Sequence, residues 1–142
     1  MSLISAPPTA MALLGYIALF VALTFALVIP RAVLVLMGRR AANAFTPGGT
    51  ELSPLAARIA RAHANCYENF PLIGGLMLLA LVTGQAAVTD ALAPWFLAAR
   101  VAQATVHLIS TGVWMVQVRF AFFALQLGIG CVWVVGLWGA LG

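Results

Sequence analysis

The chain has 142 residues, of which 64% are hydrophobic and 7% are charged, and its mean hydropathy is +1.09. A water-soluble domain carries about 25% charged residues. This composition therefore excludes a water-soluble domain and indicates an integral membrane protein. All seven basic residues are arginines. A set of cations this small usually sets the membrane topology or contacts specific anions, and it does not form a basic patch. We therefore expect no nucleic-acid partner.

Four apolar segments reach or approach the roughly 20 residues that a helix needs to cross the hydrocarbon core of a membrane. We expect an all-α, polytopic four-helix bundle that forms a single membrane domain over residues 1–142. The predicted spans are about residues 9–37, 54–82, 92–109 and 114–138. The first is not expected to be a removable signal peptide, because no positive charge precedes it and no cleavage pattern leads into a polar chain.

Proline, glycine and arginine residues indicate where the first span bends, where it ends and where the loop after it lies. Pro30 lies inside the apolar run, where a proline removes one backbone donor and predicts a kink. The span ends near Arg39 and Arg40, and the following residues contain proline and glycine without helical periodicity, which predicts a loop. Ser53 and Pro54 then predict the N-cap and first residue of the second span.

The arginines are distributed unevenly along the chain. Six of them flank the first and third loops, whereas the termini and the second loop have none. These six are Arg31, Arg39, Arg40, Arg58, Arg61 and Arg119. The positive-inside rule therefore predicts that both termini lie on the non-cytoplasmic side. The absence of lysine, with abundant alanine and arginine, suggests a GC-rich bacterial genome and an inner-membrane location.

Two of the predicted spans carry a stripe of polar side chains. On a helix that advances about 100° per residue, positions i, i+3 or i+4, and i+7 share one face. The two sets are Arg61, Asn65 and Glu68 in the second span and Arg100, Gln103 and His107 in the third. Because the two spans are consecutive and antiparallel, we expect the stripes to meet inside the bundle.

Charged side chains at this depth need partners. A single ionised side chain in the membrane costs at least about 2.5–3.5 kcal/mol, so we expect Glu68 to pair with Arg100. No other carboxylate in the spans balances Arg40, Arg61 and Arg119, and this surplus of cations predicts that an anion binds. The alternative is that these arginines only reach lipid phosphates and fix the topology.

The second span contains the segment RAHANCYENFP at residues 61–71. This segment resembles the second-helix signature of the MAPEG family, the membrane-associated proteins of eicosanoid and glutathione metabolism. The resemblance extends over nearly the whole chain, from the Arg39–Arg40 pair to Arg100 and its polar neighbours three and seven positions later. The family includes microsomal glutathione transferases, prostaglandin E synthase, leukotriene C synthase and the non-catalytic lipoxygenase-activating protein.

The resemblance implies a homotrimer of four-helix subunits that binds glutathione between neighbouring subunits, near the cytoplasmic side. By position, it implies that Arg40 and Arg61 hold the carboxylates of glutathione and that Asn65 hydrogen-bonds to its backbone. It also implies that Glu68 engages the amino group of glutathione while contacting Arg100, so that Arg100 also belongs to the glutathione-binding residues.

The same resemblance implies candidates for the chemistry. Gln103 and His107 stand where catalytic relatives often place tyrosine or histidine in the glutathione site. Arg119 is the candidate for the arginine that stabilises the thiolate, at a longer interval after Arg100 than in the eicosanoid synthases. A nearby guanidinium favours the thiolate, which is the actual nucleophile, and this chemistry needs no metal.

The expected function is a membrane glutathione transferase or peroxidase, with glutathione as co-substrate and a lipophilic electrophile or lipid hydroperoxide supplied by the membrane. A non-catalytic family member that binds lipid or serves as an accessory subunit is the main alternative. A small multidrug transporter is disfavoured because the first span has no carboxylate to couple protons.

Two further interpretations concern metal and disulfide chemistry. Haem ligation by His63 and His107 is disfavoured because His63 points away from the polar stripe of its helix. Cys66 and Cys131 have no paired spacing, so neither a disulfide framework nor a zinc site is indicated, and both are expected to be buried small residues.

Overall fold

The computed structural model describes residues 6–142, so the first five residues of the predicted domain lie outside the described residues. All regular secondary structure in the described part is helical. In chain order the helices are α1 (Pro8–Leu36), α2 (Pro54–Val82), α3 (Ala86–Asp90), α4 (Ala93–Ile109) and α5 (Val113–Leu141). The short α3, which sequence patterns did not predict, lies in the connection between α2 and α4.

Three helices, α1, α2 and α5, are each 29 residues long and are apolar enough to cross a membrane. The fourth, α4, has 17 residues. At a rise of about 1.5 Å per residue it is roughly 26 Å long, slightly less than the hydrocarbon thickness of about 30 Å. The chain is an integral membrane protein, and the predicted crossing by four helices and the predicted side of the termini stay predictions.

The start of α2 follows from its local sequence. The Ser53 hydroxyl oxygen accepts a hydrogen bond from the backbone N–H of Ala56 at 3.0 Å, and Pro54 occupies the first helical position. A proline is tolerated there because the first N–H groups of a helix have no partner within it. This N-cap fixes where the polar stripe of α2 begins.

The core that holds the helices together is largely aromatic. Tyr16 of α1 packs against Phe70 of α2 and Phe96 of α4, with ring centroids 5.2 Å and 5.4 Å apart. Phe96 in turn lies 5.8 Å from Trp133 of α5. The hydroxyl of Tyr16 donates to the backbone oxygen of Cys66 at 3.1 Å, so the one polar atom of this ring is satisfied. These contacts join the four long helices.

A carboxylate from α3 caps the start of α1. Pro7, the residue before α1, supplies no side-chain cap. Instead, Asp90 Oδ1 accepts hydrogen bonds from the backbone N–H of Thr9 at 2.9 Å and from its hydroxyl at 2.6 Å. The Thr9 and Thr89 hydroxyl oxygens lie 2.7 Å apart. A negative charge near a helix N-terminus is stabilised by the helix dipole, so Asp90 ties the start of α1 to the connection between α2 and α4.

Removing this cap is expected to destabilise the protein. Replacing Asp90 with alanine should lower the free energy of unfolding by about 1–2 kcal/mol, the usual cost of losing an N-cap. Asp90→Asn keeps an acceptor without the charge and should retain part of the stability. Thermal unfolding in detergent measures both variants, and an unchanged midpoint for Asp90→Ala would contradict the assignment.

Candidate functional site

A polar pocket of about 330 Å³ opens on the protein surface where α2 and α5 meet beside α4. Its lining residues are Asn65, Glu68, Asn69, Gln103, Arg119, Phe120 and Phe123. The pocket therefore combines residues from both predicted polar stripes with a cation from α5. Ionisable groups within a membrane helix bundle are costly, and their convergence on one pocket makes this pocket the candidate functional site.

Arg61 lies on the same face of α2, one turn before Asn65. It lines a second cavity of about 310 Å³ together with Arg58 and Thr111, which belongs to the turn between α4 and α5. Because one helical turn advances about 5.4 Å, a ligand of tripeptide length is able to reach Arg61 from the polar pocket. The second cavity thus places Arg61 one turn of α2 from the pocket that contains Glu68 and Arg119.

Arg119 is held by three hydrogen bonds from two helices. Its Nη1 donates to His107 Nδ1 at 3.1 Å, and its Nε donates to the backbone oxygen of Met115 at 3.2 Å. The backbone oxygen of Arg119 accepts from Gln103 Nε2, also at 3.1 Å. None of these partners is a carboxylate, so the positive charge of Arg119 is not neutralised by them.

The predicted ion pair between Glu68 and Arg100 is wrong within the described chain. Arg100 is completely buried, and its Nη1 donates to amide oxygens of Gln103 at 3.0 Å and Gln126 at 3.3 Å. Its guanidinium also lies 5.3 Å from the ring centroid of Tyr16. Glu68 is exposed and faces the polar pocket instead. Arg100 therefore points into the bundle, where amide oxygens replace the expected carboxylate.

Gln103 lines the polar pocket, and its side-chain amide makes three hydrogen bonds within the chain. Its Oε1 accepts from Arg100 and from Gln126 Nε2, the latter at 3.0 Å, while its Nε2 donates to the backbone of Arg119. Its contribution in the structure is to fix α4 against α5. Gln126 was not predicted as part of the site, although it lies two turns after Arg119 as an isolated polar residue in an apolar helix.

The predicted ligand Arg40 lies elsewhere in the described chain. It belongs to the loop between α1 and α2, where its Nη1 donates to the backbone oxygen of Glu51 at 3.4 Å and its guanidinium lies 5.7 Å from the ring of Phe45. The Glu51 carboxylate accepts hydrogen bonds from the hydroxyl and backbone N–H of Thr46. The hydroxyl contact is the main reason that the pKa of Glu51 is lowered. Arg40 does not line the polar pocket of its own chain.

The histidines and cysteines do not form a shared site. His63 contacts α1, with Nε2 3.1 Å from the Thr24 hydroxyl and its ring stacked on Phe20, whereas His107 contacts α5. The two histidines of one chain therefore contact different helices and do not face each other as haem ligands would. Both cysteines are free; Cys66 is buried as expected, but Cys131 is exposed.

Comparison with known proteins identifies the family of the chain. A family model described as the MAPEG family matches residues 11–140 of the 142-residue chain. The matched region includes all the residues of the polar pocket and of the buried network beside it. Neither the curated proteins nor the solved structures contain a chain that matches this one. Since the family model covers almost the entire sequence, the chain belongs to the MAPEG family.

Proposed function

We propose that the protein is a membrane glutathione transferase or glutathione-dependent peroxidase that acts on lipophilic electrophiles or lipid hydroperoxides. The observation that carries this proposal is the convergence of Asn65, Glu68 and Arg119 on one pocket. Glutathione presents carboxylates, an ammonium group, amides and a thiol. A pocket with a cation, a carboxylate and an amide offers each of these groups a complementary partner.

Each binding group on α2 matches the charge of one part of glutathione. Arg61 supplies charge-assisted hydrogen bonds to a carboxylate, Glu68 accepts from the ammonium group, and Asn65 pairs with the peptide backbone. With these ends held on α2, the thiol extends towards α5, where Arg119 lines the same pocket. This arrangement explains why a residue far along the sequence is needed beside the stripe of α2.

The proposed chemistry depends on the thiolate. The Arg119 guanidinium lowers the pKa of the glutathione thiol by stabilising its anion. In the transferase reaction, the thiolate sulfur forms a bond to the electrophilic carbon and the leaving group departs with its electron pair. In the peroxidase reaction, the sulfur attacks the terminal peroxide oxygen, and the lipid alkoxide leaves and takes up a proton. A second glutathione thiol then displaces the hydroxyl from the oxidised sulfur, which gives glutathione disulfide and water.

The pocket is open on one side, which supports an assembly in which neighbouring subunits complete it. Glu68 is exposed in the single chain, and an ionised carboxylate facing lipid would cost at least about 2.5–3.5 kcal/mol. We propose a homotrimer in which the neighbouring subunit covers this face and supplies its Arg40. The arginine distribution supports an orientation in a bacterial inner membrane with both termini on the non-cytoplasmic side.

The proposed assembly makes a direct prediction. Native mass spectrometry of the protein released from mild detergent should show a trimer as the main species, because separation of the subunits exposes the polar pocket. A spectrum that contains only monomer across a range of detergents would contradict the shared site.

Two measurements together test the proposed activity. Glutathione should bind the purified protein in calorimetry, and it should support turnover of an aromatic halide electrophile or of cumene hydroperoxide. A glutathione analogue with a methyl group in place of the thiol provides the control, because it should bind and support neither reaction. A protein that shows no heat of binding and no turnover would refute the proposal.

A second candidate function is lipid binding without catalysis. A cavity of about 420 Å³ between α1 and the first turns of α2 favours it, because apolar side chains and a single serine line this space. A non-catalytic protein would retain such a cavity and bind glutathione without ionising its thiol. The state of the bound thiol therefore separates the two candidates.

A further inference from the structure

The contact between Arg119 and His107 defines the state of the histidine. Arginine nitrogens only donate hydrogen bonds, so Nδ1 of His107, 3.1 Å from Arg119 Nη1, must be the acceptor. An acceptor at Nδ1 requires a neutral ring with its proton on Nε2. A charged imidazolium would instead place a donor against a donor and a second cation beside the guanidinium.

His107 and Arg119 differ in their relation to the pocket. Arg119 lines it, whereas His107 does not and contacts the guanidinium from the last turn of α4. Within the part of the chain that the structure describes, Nη2 of Arg119 makes no hydrogen bond, so this nitrogen is available to a ligand. His107 therefore acts on the pocket through the arginine.

We propose that His107 is a positioning residue: its neutral ring, accepting through Nδ1, aims the Arg119 guanidinium at the pocket and thereby determines how strongly a bound thiol ionises. This inference rests on the proposed function. It replaces the direct ligand role that the family resemblance implied for His107.

A neutral acceptor suits this task better than a carboxylate. A long arginine side chain samples many rotamers and turns towards water or lipid phosphates when nothing holds it. A carboxylate would fix the side chain but would also neutralise the charge that the thiolate needs. The imidazole fixes the direction of one N–H group and leaves the positive charge intact, and Gln103 fixes the backbone of Arg119 at the same time.

Two substitutions separate positioning from binding. His107→Phe keeps a ring without the acceptor, whereas His107→Asn keeps an acceptor oxygen near the place of Nδ1. We expect both variants to bind glutathione within about threefold of the parent, because no charge-assisted contact to the tripeptide is lost. His107→Phe should reduce the thiolate fraction at neutral pH about tenfold and lower kcat with it, while KM for glutathione changes little.

His107→Asn should restore most of the thiolate fraction and of kcat. Two outcomes would overturn the inference. In the first, His107→Phe leaves the thiol titration and kcat as in the parent. In the second, it weakens glutathione binding as much as Arg61→Ala does and leaves the titration of the bound thiol unchanged, which would make His107 a ligand.

A measurement without glutathione tests the same contact independently. Nitrogen NMR of the histidine-labelled protein should show His107 with a bare Nδ1 and a protonated Nε2, and Arg119→Leu should disturb this state. His63, which contacts Thr24, serves as the internal control. A proton on Nδ1 of His107 in the parent overturns the inference, whereas failure to bind glutathione contradicts the proposed function and not the tautomer.

Discussion

Replacing Arg119 with leucine is expected to lower kcat at pH 7 by about thirtyfold, because a thiol with an unperturbed pKa of about 8.5 is only about 3% ionised there. Affinity for glutathione should change much less, because the carboxylates and ammonium group of the tripeptide are assigned to groups on α2 and on the neighbouring subunit. The loss follows from the ionisation of the sulfur, since only the thiolate attacks the electrophile. Steady-state turnover with saturating glutathione measures this effect.

Two controls accompany this variant. Arg119→Lys keeps a cation and should retain part of the activity, although an ammonium group cannot reproduce the planar hydrogen-bonding geometry of a guanidinium. Gln117→Leu introduces the same leucine at an exposed position two residues earlier on α5 and should leave kcat unchanged. Full activity in Arg119→Leu would remove Arg119 from the reaction and favour the non-catalytic alternative.

Replacing Arg61 with alanine is expected to weaken glutathione binding by about 1.5–3 kcal/mol, the value of a hydrogen bond to a charged group. The loss comes from the charge-assisted hydrogen bond between Arg61 and one carboxylate of the tripeptide. Asn65→Ala removes a neutral hydrogen bond and should cost only about 0.5–1.5 kcal/mol. Calorimetry with the purified protein measures both values.

Arg39→Ala is the matched control for this experiment. Arg39 is an exposed arginine in the loop between α1 and α2, so its loss changes the net charge as Arg61→Ala does without touching the pocket. We expect its affinity for glutathione to equal that of the parent. If Arg61→Ala and Asn65→Ala also bind glutathione like the parent, the pocket has been assigned to the wrong place.

The positions of residues on their own helices were predictable from sequence. Helical periodicity placed Asn65 and Glu68 on one face of α2, and both line the polar pocket. Capping chemistry placed the start of α2 at Ser53 and Pro54. Both signals are local, because they depend only on the rotation per residue and on the unpaired N–H groups at a helix start.

The relation between helices was not predictable in the same way. Periodicity defines a polar face on α4 but not which neighbouring helix that face meets. Arg100 faces the interior of the bundle and Gln126 of α5, so the predicted ion pair between Arg100 and Glu68 was wrong. An isolated glutamine in an apolar helix gives no periodic pattern, and its meaning depends on knowing that α4 and α5 pack together.

The path of the connections was also beyond sequence reasoning. The turn between α4 and α5 brings Arg119 back to Gln103 and His107, although its interval from Arg100 is longer than in the eicosanoid synthases. The cap of α1 by Asp90 likewise joins residues 81 positions apart through the unpredicted α3. Both contacts depend on the tertiary course of the chain and leave no local signal.

We propose above that the protein binds glutathione and ionises its thiol beside Arg119. Ultraviolet titration of glutathione bound to the purified protein tests this claim most directly, because the thiolate absorbs and the thiol does not. We predict a clear thiolate absorbance at neutral pH, titrating well below the pKa of about 8.5 for an unperturbed thiol, and its loss in Arg119→Leu. Glutathione that binds yet titrates like the free tripeptide, in the parent as in Arg119→Leu, would contradict the claim.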